Sequence, residues 1–242
     1  MLRFDILTLF PEMIEGVVNS SILKRAREKG LLEINIIDFR LFSTNKHNTV
    51  DDYAYGGGAG MLISVEPLHK ALVSIPGYEQ ATKILTTPSG KVFNQQMAID
   101  LSKNEHIIIM CGHYEGIDNR ILNYVDEEIS IGDYVLTGGE IPALTIMDAV
   151  ARLVKGVISD DSTVQESFMS GLLEYPQYTR PQVYDGHSVP EILLSGHHAN
   201  IEKWKHKEAL KKTYKMRPDL LDKVALTAED YAYLKELEKN EN

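Results

Sequence analysis

Residues 106–140 constrain this chain most. His106–Cys111, HIIIMC, is a strongly apolar run of strand length, too short for an ordinary helix. Bounded by turn residues, it suits a central parallel strand buried on both faces. The stretch that follows, CGHYEGIDNRILNYVDEEISIGDYVLTGGE at 111–140, holds Gly112, Gly116, Gly132, Gly138 and Gly139. Between them lie Glu115, Asp118, Asp126, Glu127, Glu128, Asp133 and Glu140. Glycine lets backbone approach a ligand closely or take positive φ, at an entropic cost on folding. Taken singly, each glycine is explained by a tight turn. Clustered after a buried strand, they point to bare loop backbone set around a ligand.

The rest of the chain frames that stretch. Leu2–Thr8 reads as a strand with Phe4 and Ile6 on one face. Pro11 suits a first helical turn, and a helix is expected from there to about Lys29, stopped by Gly30. Leu32–Asp38 is a second strand. Residues 43–60, STNKHNTVDDYAYGGGAG, fit neither period, and so long a loop in a compact domain is usually functional or mobile. Val65–Ile75 is a helix, Lys83–Thr87 a short strand ending at Pro88, and Asn94–Ser102 a helix. Ile141, Leu144, Met147, Val150 and Val154 recur at helical spacing, so 140–154 reads as an amphipathic helix. Thr145, Asp148 and Arg152 share another of its faces. This alternation predicts an α/β domain with a mostly parallel sheet over 1–154. Small polar residues mark 155–171 as an interdomain linker, with little apolar material to order it in the free chain. Residues 172–242, with helices expected at about 197–213 and 227–239, form a small helical domain.

Composition bounds the class. In 242 residues, 43% hydrophobic and 25% charged content suit a globular protein with a sizeable core. No apolar run approaches bilayer length, and the N-terminus meets an acid and a proline too early for a signal peptide. One cysteine excludes an internal disulfide and a thiolate zinc cage, and fits a reducing cytoplasm. A net charge of −10 argues against a generally basic nucleic-acid binder but leaves local patches open.

Neither GxxxxGK[ST] nor GxGxxG after a strand is present, which weakens nucleotide hydrolysis and conventional dinucleotide binding together. GGGAG at 56–60 is as well explained by a flexible loop as by a ligand role. No metal-ligand spacing stands out: His197, His198 and His206 lie in a polar helical stretch where solvent exposure is the better account. Cys111, ending an apolar strand, resembles a buried small hydrophobe more than a nucleophile. Residues 203–217, KWKHKEALKKTYKMR, carry seven Lys and Arg against one acid and include Trp204. A charge run is usually a solvated helix face, but in an acidic chain this one favours RNA, with phosphates neutralised and bases stacked. Lys24, Arg25, Arg27 and Lys29 form a second basic cluster that reads as surface. Spacing alone explains Arg152 as the i,i+4 partner of Asp148, and Glu166 and Glu174 as solvated loop carboxylates.

Six ordered segments resemble the bacterial TrmD family, the tRNA (guanine-N1)-methyltransferases, over essentially the whole chain. They are LTLFPEM at 7–13, VDDYAYGGGAGM at 50–61, CGHYEGID at 111–118, ISIGDYVLTGGEIPA at 129–143, GLLEYPQYTRP at 171–181 and EILLSGHHA at 191–199. The resemblance implies a SPOUT-type α/β fold, a mostly parallel sheet with a deep trefoil knot, plus the small C-terminal helical domain. It implies a homodimer that binds S-adenosylmethionine in the knot and methylates N1 of guanosine 37, next to the anticodon of tRNA. By the same resemblance Leu85, Thr86, Thr87 and Pro88 would contact the cofactor. So would Gly112, Tyr114, Glu115 and Gly116, and then Ser130, Ile131, Gly132, Tyr134, Val135, Leu136, Gly138, Gly139 and Pro142. Glu166 stands where the family has an aspartate as general base, Glu174 matches a nearby carboxylate, and Arg152 matches an arginine that steadies developing charge. Both glutamates keep the carboxylate and add a methylene. A magnesium contribution is implied by the family, though no metal cage is visible. Two rivals remain: a relative that methylates the ribose 2′-hydroxyl, and a non-catalytic RNA-binding module.

Overall fold

A computed structural model describes residues 1–159, 166–169 and 171–241. The chain divides into two units, Met1–Ser159 and Asp160–Asn242. Of the stretch expected as a disordered linker, 155–159 fall in the first unit, 166–169 and 171 in the second, and 160–165 and 170 lie outside the described residues.

The first unit runs β1 (Leu2–Thr8), α1 (Pro11–Val18), α2 (Ser21–Glu28), β2 (Leu32–Asp38), β3 (Asp51–Asp52), β4 (Leu62–Ile63) and α3 (Val65–Ser74). It continues through β5 (Thr82–Val92), α4 (Gln95–Leu101), β6 (His106–Cys111), β7 (Glu127–Ser130) and α5 (Glu140–Ala151). Five strands pair in the order β2-β1-β6-β5-β7, every pair parallel. The apolar run of β6 is therefore the middle strand. Its Ile107, Ile109 and Cys111 face a core shared with α1, α2, α4 and α5, and Ile108 and Met110 face a core shared with α3. All five are at most 1% exposed. Burying each large apolar side chain stabilises by about 1.5–3 kcal/mol, which explains why a strand apolar at every position belongs here and nowhere nearer an edge.

Three expectations need correction. The helix expected from Pro11 to Lys29 is two helices, broken at Asn19 and Ser20. The Ser20 hydroxyl donates to the Gly16 carbonyl at 2.6 Å and Arg27 donates to the Val18 carbonyl at 3.3 Å, so side chains satisfy carbonyls that a continuous helix would use. The strand expected to end at Pro88 continues to Val92, because a register shift between Thr86 and Lys91 lets residues 87–90 bulge out of the ladder. Proline has no N–H for the ladder, and a Cβ on Gly90 would stand 2.5 Å from the Ile129 backbone nitrogen. Finally, α5 ends at Ala151 and buries Glu140, Ala143, Ile146, Met147, Val150 and Ala151, whereas Ile141 is 48% exposed. Met147 and Val150 are buried as expected and Leu144 and Val154 pack against the same core, so Ile141 alone leaves the stripe, while Glu140 is buried and held by Thr8, 132 residues away in sequence.

The second unit contains a hairpin, β8 (Val183–Tyr184) and β9 (His187–Ser188), then α6 (Glu191–Leu194), α7 (His198–Met216) and α8 (Ala228–Glu241). Leu172, Ala209 and Leu210 form its core, with Tyr175, Leu221, Val224 and Tyr233 packed on them. Residues 166–169 and 171–174 are tied into this unit: the Leu173 N–H donates to Thr213 Oγ1 of α7 at 2.9 Å, and the Glu174 N–H to Ser167 Oγ at 2.9 Å. Among the described residues no helix is long and apolar enough to cross a membrane.

Candidate ligand cavity at the strand ends

In a parallel sheet the loops at the carboxyl ends of the strands are where ligands are held. Here the bulge in β5 and the loops after β6 and β7 border a cavity of about 420 Å³, within the range of small-molecule sites. Leu85, Thr86, Thr87 and Pro88 border it from β5 and its bulge, and Gly112, Tyr114, Glu115 and Gly116 from the loop after β6. Ser130, Ile131, Gly132, Tyr134, Val135, Leu136, Gly138, Gly139 and Pro142 border it from the loop after β7 and the start of α5. One cavity thus gathers every residue expected to contact the cofactor. It also takes in His113 and Thr137, which lie between residues already expected at the cofactor, and Ser89 and Ile117, one position beyond the expected stretches.

The walls are pinned by backbone. The Gly139 N–H donates to the Gly112 carbonyl at 2.7 Å, and His113 bridges Gly138 in antiparallel fashion. Thr86 Oγ1 lies between the carbonyls of Met110, at 3.1 Å, and Gly139, at 3.3 Å. A Cβ on Gly139 would collide with Thr86 Oγ1 and stand 2.7 Å from the Gly112 nitrogen, so only glycine lets the two loops close this far. Ser130 Oγ donates to the Gly132 carbonyl at 3.0 Å, and the Tyr134 phenol donates to the Ile131 carbonyl at 3.2 Å, which curls 130–134 over the cavity. Tyr114 has a φ of 59°, a left-handed conformation that a bulky residue rarely adopts and that clusters at binding sites.

The electrostatics are anionic. Glu115 and Glu128 border the cavity with no ion-pair partner among the described residues. Glu115 is anchored through its N–H to the Met61 carbonyl at 3.1 Å, and its side chain fills the space where a Cβ on Gly60 would stand. That ties the GGGAG loop to the cavity. Asp118 accepts from Arg120, which holds its carboxyl below the usual range, and its side chain also accepts from the Arg120 backbone at 3.0 Å to start the short 3-10 helix Asn119–Tyr124. Burial, with the Glu140 charge adding, pushes the Cys111 thiol well up. Cys111 is therefore a packed hydrophobe and not a thiolate.

The residues expected to act on the substrate are divided between the two units. Arg152 caps the C-terminus of α5 in the first unit, its backbone N–H donating to the Asp148 carbonyl at 3.1 Å. Glu166 and Glu174 belong to the second unit. The Glu166 carbonyl accepts from the Met169 N–H at 3.2 Å, and the Glu174 carboxylate accepts from Gln177 Nε2. On α7, Lys205 pairs with Glu202 at 2.8 Å and sits over the Tyr175 ring, and Lys207 sits over the Tyr233 ring. Lys203 and Lys212 are exposed and make no ion pair among the described residues. His206 Nε2 donates to the Asp230 carboxylate at 2.7 Å.

Comparison with known proteins follows the same lines. The family described as tRNA (Guanine-1)-methyltransferase TrmD matches residues 2–223. The chain is 56% identical over 240 residues to a tRNA (guanine-N(1)-)-methyltransferase of Dictyoglomus turgidum, covering 99% of this chain and 98% of that one. It is 52% identical over 245 residues to the protein of that name in Moorella thermoacetica, covering 99% and 98%. With the Staphylococcus haemolyticus protein of that name it shares 50% identity over 240 residues, covering 98% of each.

Proposed function

The chain belongs to the tRNA (guanine-1)-methyltransferase family, and on that premise we propose that it transfers a methyl group from S-adenosylmethionine to N1 of guanosine 37 in tRNA. The observation that carries the reading is the glycine-walled cavity bordered by the β5 bulge and the ends of β6 and β7. Its residues fit that donor. Partly exposed backbone at Gly112 and Gly138 can hydrogen-bond an adenine edge without side chains in the way, and Glu115 and Glu128 offer negative charge to a sulfonium and an amino group. Bound there, S-adenosylmethionine would supply a methyl carbon made electrophilic by its sulfonium, open to attack by a deprotonated guanine N1 with the neutral thioether as leaving group.

The chain's own residues must supply that deprotonation. Guanine N1 carries a proton and is a poor nucleophile until it loses it. Glu166 takes the N1 proton, Arg152 donates to O6 where negative charge develops, and Glu174 supports the base from the same segment as Glu166. A flipped guanosine gives these groups access to an edge otherwise stacked. Holding the base and the methyl donor in line supplies much of the acceleration. The exposed lysines of α7, with Trp204, grip the phosphates of the anticodon arm. Magnesium, which the resemblance also implies, finds no group of His, Cys, Asp and Glu suited to hold it among the described residues, and no step is assigned to it.

A second copy of the chain completes the unit. Met13 and Val17 on α1 are 39% and 43% exposed, and Ile141 lies on α5, which packs beside α1. These apolar side chains, with Val135 and Leu136 on the cavity wall, favour a homodimer with the knotted cofactor loops near its interface. The protein so described works in the cytoplasm, where its tRNA substrate is.

Single-turnover methylation by Glu166→Gln tests the assignment. The rate is expected to fall about 10²- to 10⁴-fold, the contribution typical of a general base, while S-adenosylmethionine affinity stays within two-fold. A rate near the parent's removes Glu166 from the chemistry.

A further inference from the structure

Lys24, Arg25, Arg27 and Lys29, a basic cluster that the sequence marks as surface, do not share one role in the fold. Arg27 donates to Asn19 Oδ1 at 2.6 Å and to the Val18 carbonyl at 3.3 Å, and Lys24 lies 3.9 Å from Glu28. Those two are occupied. Arg25 spends only its Nε, on the Ser21 carbonyl at 3.4 Å, and Lys29 makes no hydrogen bond or ion pair among the described residues. Both are exposed, one turn apart at the end of α2, and both border a further concavity of about 420 Å³.

The rest of that concavity comes largely from the turn after α5, through Gly156, Val157 and Ile158, and no carboxylate borders it among the described residues. The turn is held in place. Val154 and Val157 pack on the core that α2 shares, the Val157 N–H donates to the Val154 carbonyl at 3.1 Å, and Lys155 bridges Ile158. Gly156 takes a φ of 87°, and a Cβ there would stand 3.4 Å from Leu31 Cδ1, so the turn lies against the chain just past α2. This brings in Lys155, which is exposed and also makes no hydrogen bond or ion pair among the described residues.

A helix C-terminus favours cations through its macrodipole, and the effect fades beyond the last turn. That explains Arg25 and Lys29 on α2. It does not explain Lys155, four residues past the end of α5, or an acid-free concavity in a chain of net charge −10. A guanidinium and an ammonium with unused donors beside one concavity match the oxygens of a phosphate.

We propose that this concavity holds phosphates of the tRNA backbone, with Arg25 and Lys29 as the paired contacts and Lys155 extending them. Arg152 lies three residues before Lys155, at most roughly 11 Å along the chain. The backbone gripped here therefore belongs to nucleotides near the guanosine that Arg152 serves. The inference rests on the chain acting on tRNA, and it gives the first unit an RNA contact of its own, independent of the lysines of α7.

Filter binding of an unmodified tRNA transcript across a series of salt concentrations tests it. In Arg25→Gln with Lys29→Gln, affinity should fall about ten-fold at low salt. The slope of log affinity against log salt should shrink by roughly 1.4–1.8, at about 0.7–0.9 for each lost phosphate contact. Lys155→Gln alone should shrink it by about 0.7–0.9, and Arg25→Lys, which keeps the charge, should retain the parent's slope. Affinity for S-adenosylmethionine should stay within two-fold throughout. A parent-like slope in both charge-removing variants overturns the site, and so does weaker binding with an unchanged slope. A lower melting temperature with tRNA binding intact returns Arg25 and Lys29 to capping α2. If the double variant does not fold, Lys155→Gln, on an exposed turn, decides by its slope. A parent that binds tRNA with this salt dependence but transfers no methyl group to guanosine 37 refutes the proposed reaction and leaves the contact standing. A parent that binds no tRNA refutes both.

Discussion

Gly139→Ala puts the packing of the two cavity loops to a quantitative test. Gly139 has a φ of −85°, so an alanine there meets no conformational penalty and only the space is at issue. Its methyl would collide with Thr86 Oγ1 and stand 2.7 Å from the Gly112 nitrogen and 2.8 Å from the Cys111 α-carbon. Two of those three atoms are backbone at the end of the central strand, where nothing can rotate aside. Overpacking typically costs about 1–3 kcal/mol, and stretching the 2.7 Å Gly139-to-Gly112 hydrogen bond adds about 1 kcal/mol. Borne wholly at the site, a total of about 2–4 kcal/mol is a thirty- to seven-hundred-fold loss of donor affinity. Isothermal titration with S-adenosylmethionine measures the affinity, and thermal unfolding measures the part absorbed by the fold, at about 2–4 °C per kcal/mol for a chain of this size. Adding Thr86→Ala removes one collision and leaves the two backbone contacts, so affinity should recover only in part. Donor affinity within three-fold of the parent, at an unchanged melting temperature, would show that the loops are not packed as described.

Two further outcomes follow from the second unit. Lys203→Glu with Lys212→Glu should weaken tRNA binding, with a shallower dependence on salt, and leave donor affinity alone, whereas unchanged tRNA affinity across salt concentrations would detach α7 from the RNA. Asp230 is opposed by burial, but its bonds to Thr227 and His206 prevail and hold its carboxyl below the usual range. A depressed folded value means a stabilisation that is complete above about pH 4 and lost as pH falls through the lower folded value. Asp230→Asn should therefore flatten the acid limb of the melting-temperature profile, and an acid limb identical to the parent's would show that the capping contacts do not couple to protonation.

How much was legible in the sequence depended on how local the cause was. The run HIIIMC announced the central strand because burial on both faces leaves no polar position. Gly30 stopped its helix as expected, with a φ of 68°. Long-range causes stayed hidden: the burial of Glu140 turns on its meeting Thr8, and no periodicity within 140–154 encodes a partner on β1. The extension of β5 past Pro88 was also hidden, because a bulge depends on the neighbouring strand. The β8–β9 hairpin was readable and missed, since Asp185–Gly186 is a strong turn signal and both residues take positive φ. At the site, the glycine cluster pointed to bare backbone around a ligand, and resemblance named the ligand. The bridging of Gly138 and His113 required coordinates.

The central claim is methyl transfer to N1 of guanosine 37, and isotope transfer tests it most directly. The parent protein is incubated with methyl-labelled S-adenosylmethionine and unmodified tRNA transcripts that differ only in guanosine or adenosine at position 37. Label should enter the guanosine transcript alone and be recovered as 1-methylguanosine after digestion. Label in the ribose, label in both transcripts, or none in either would contradict it.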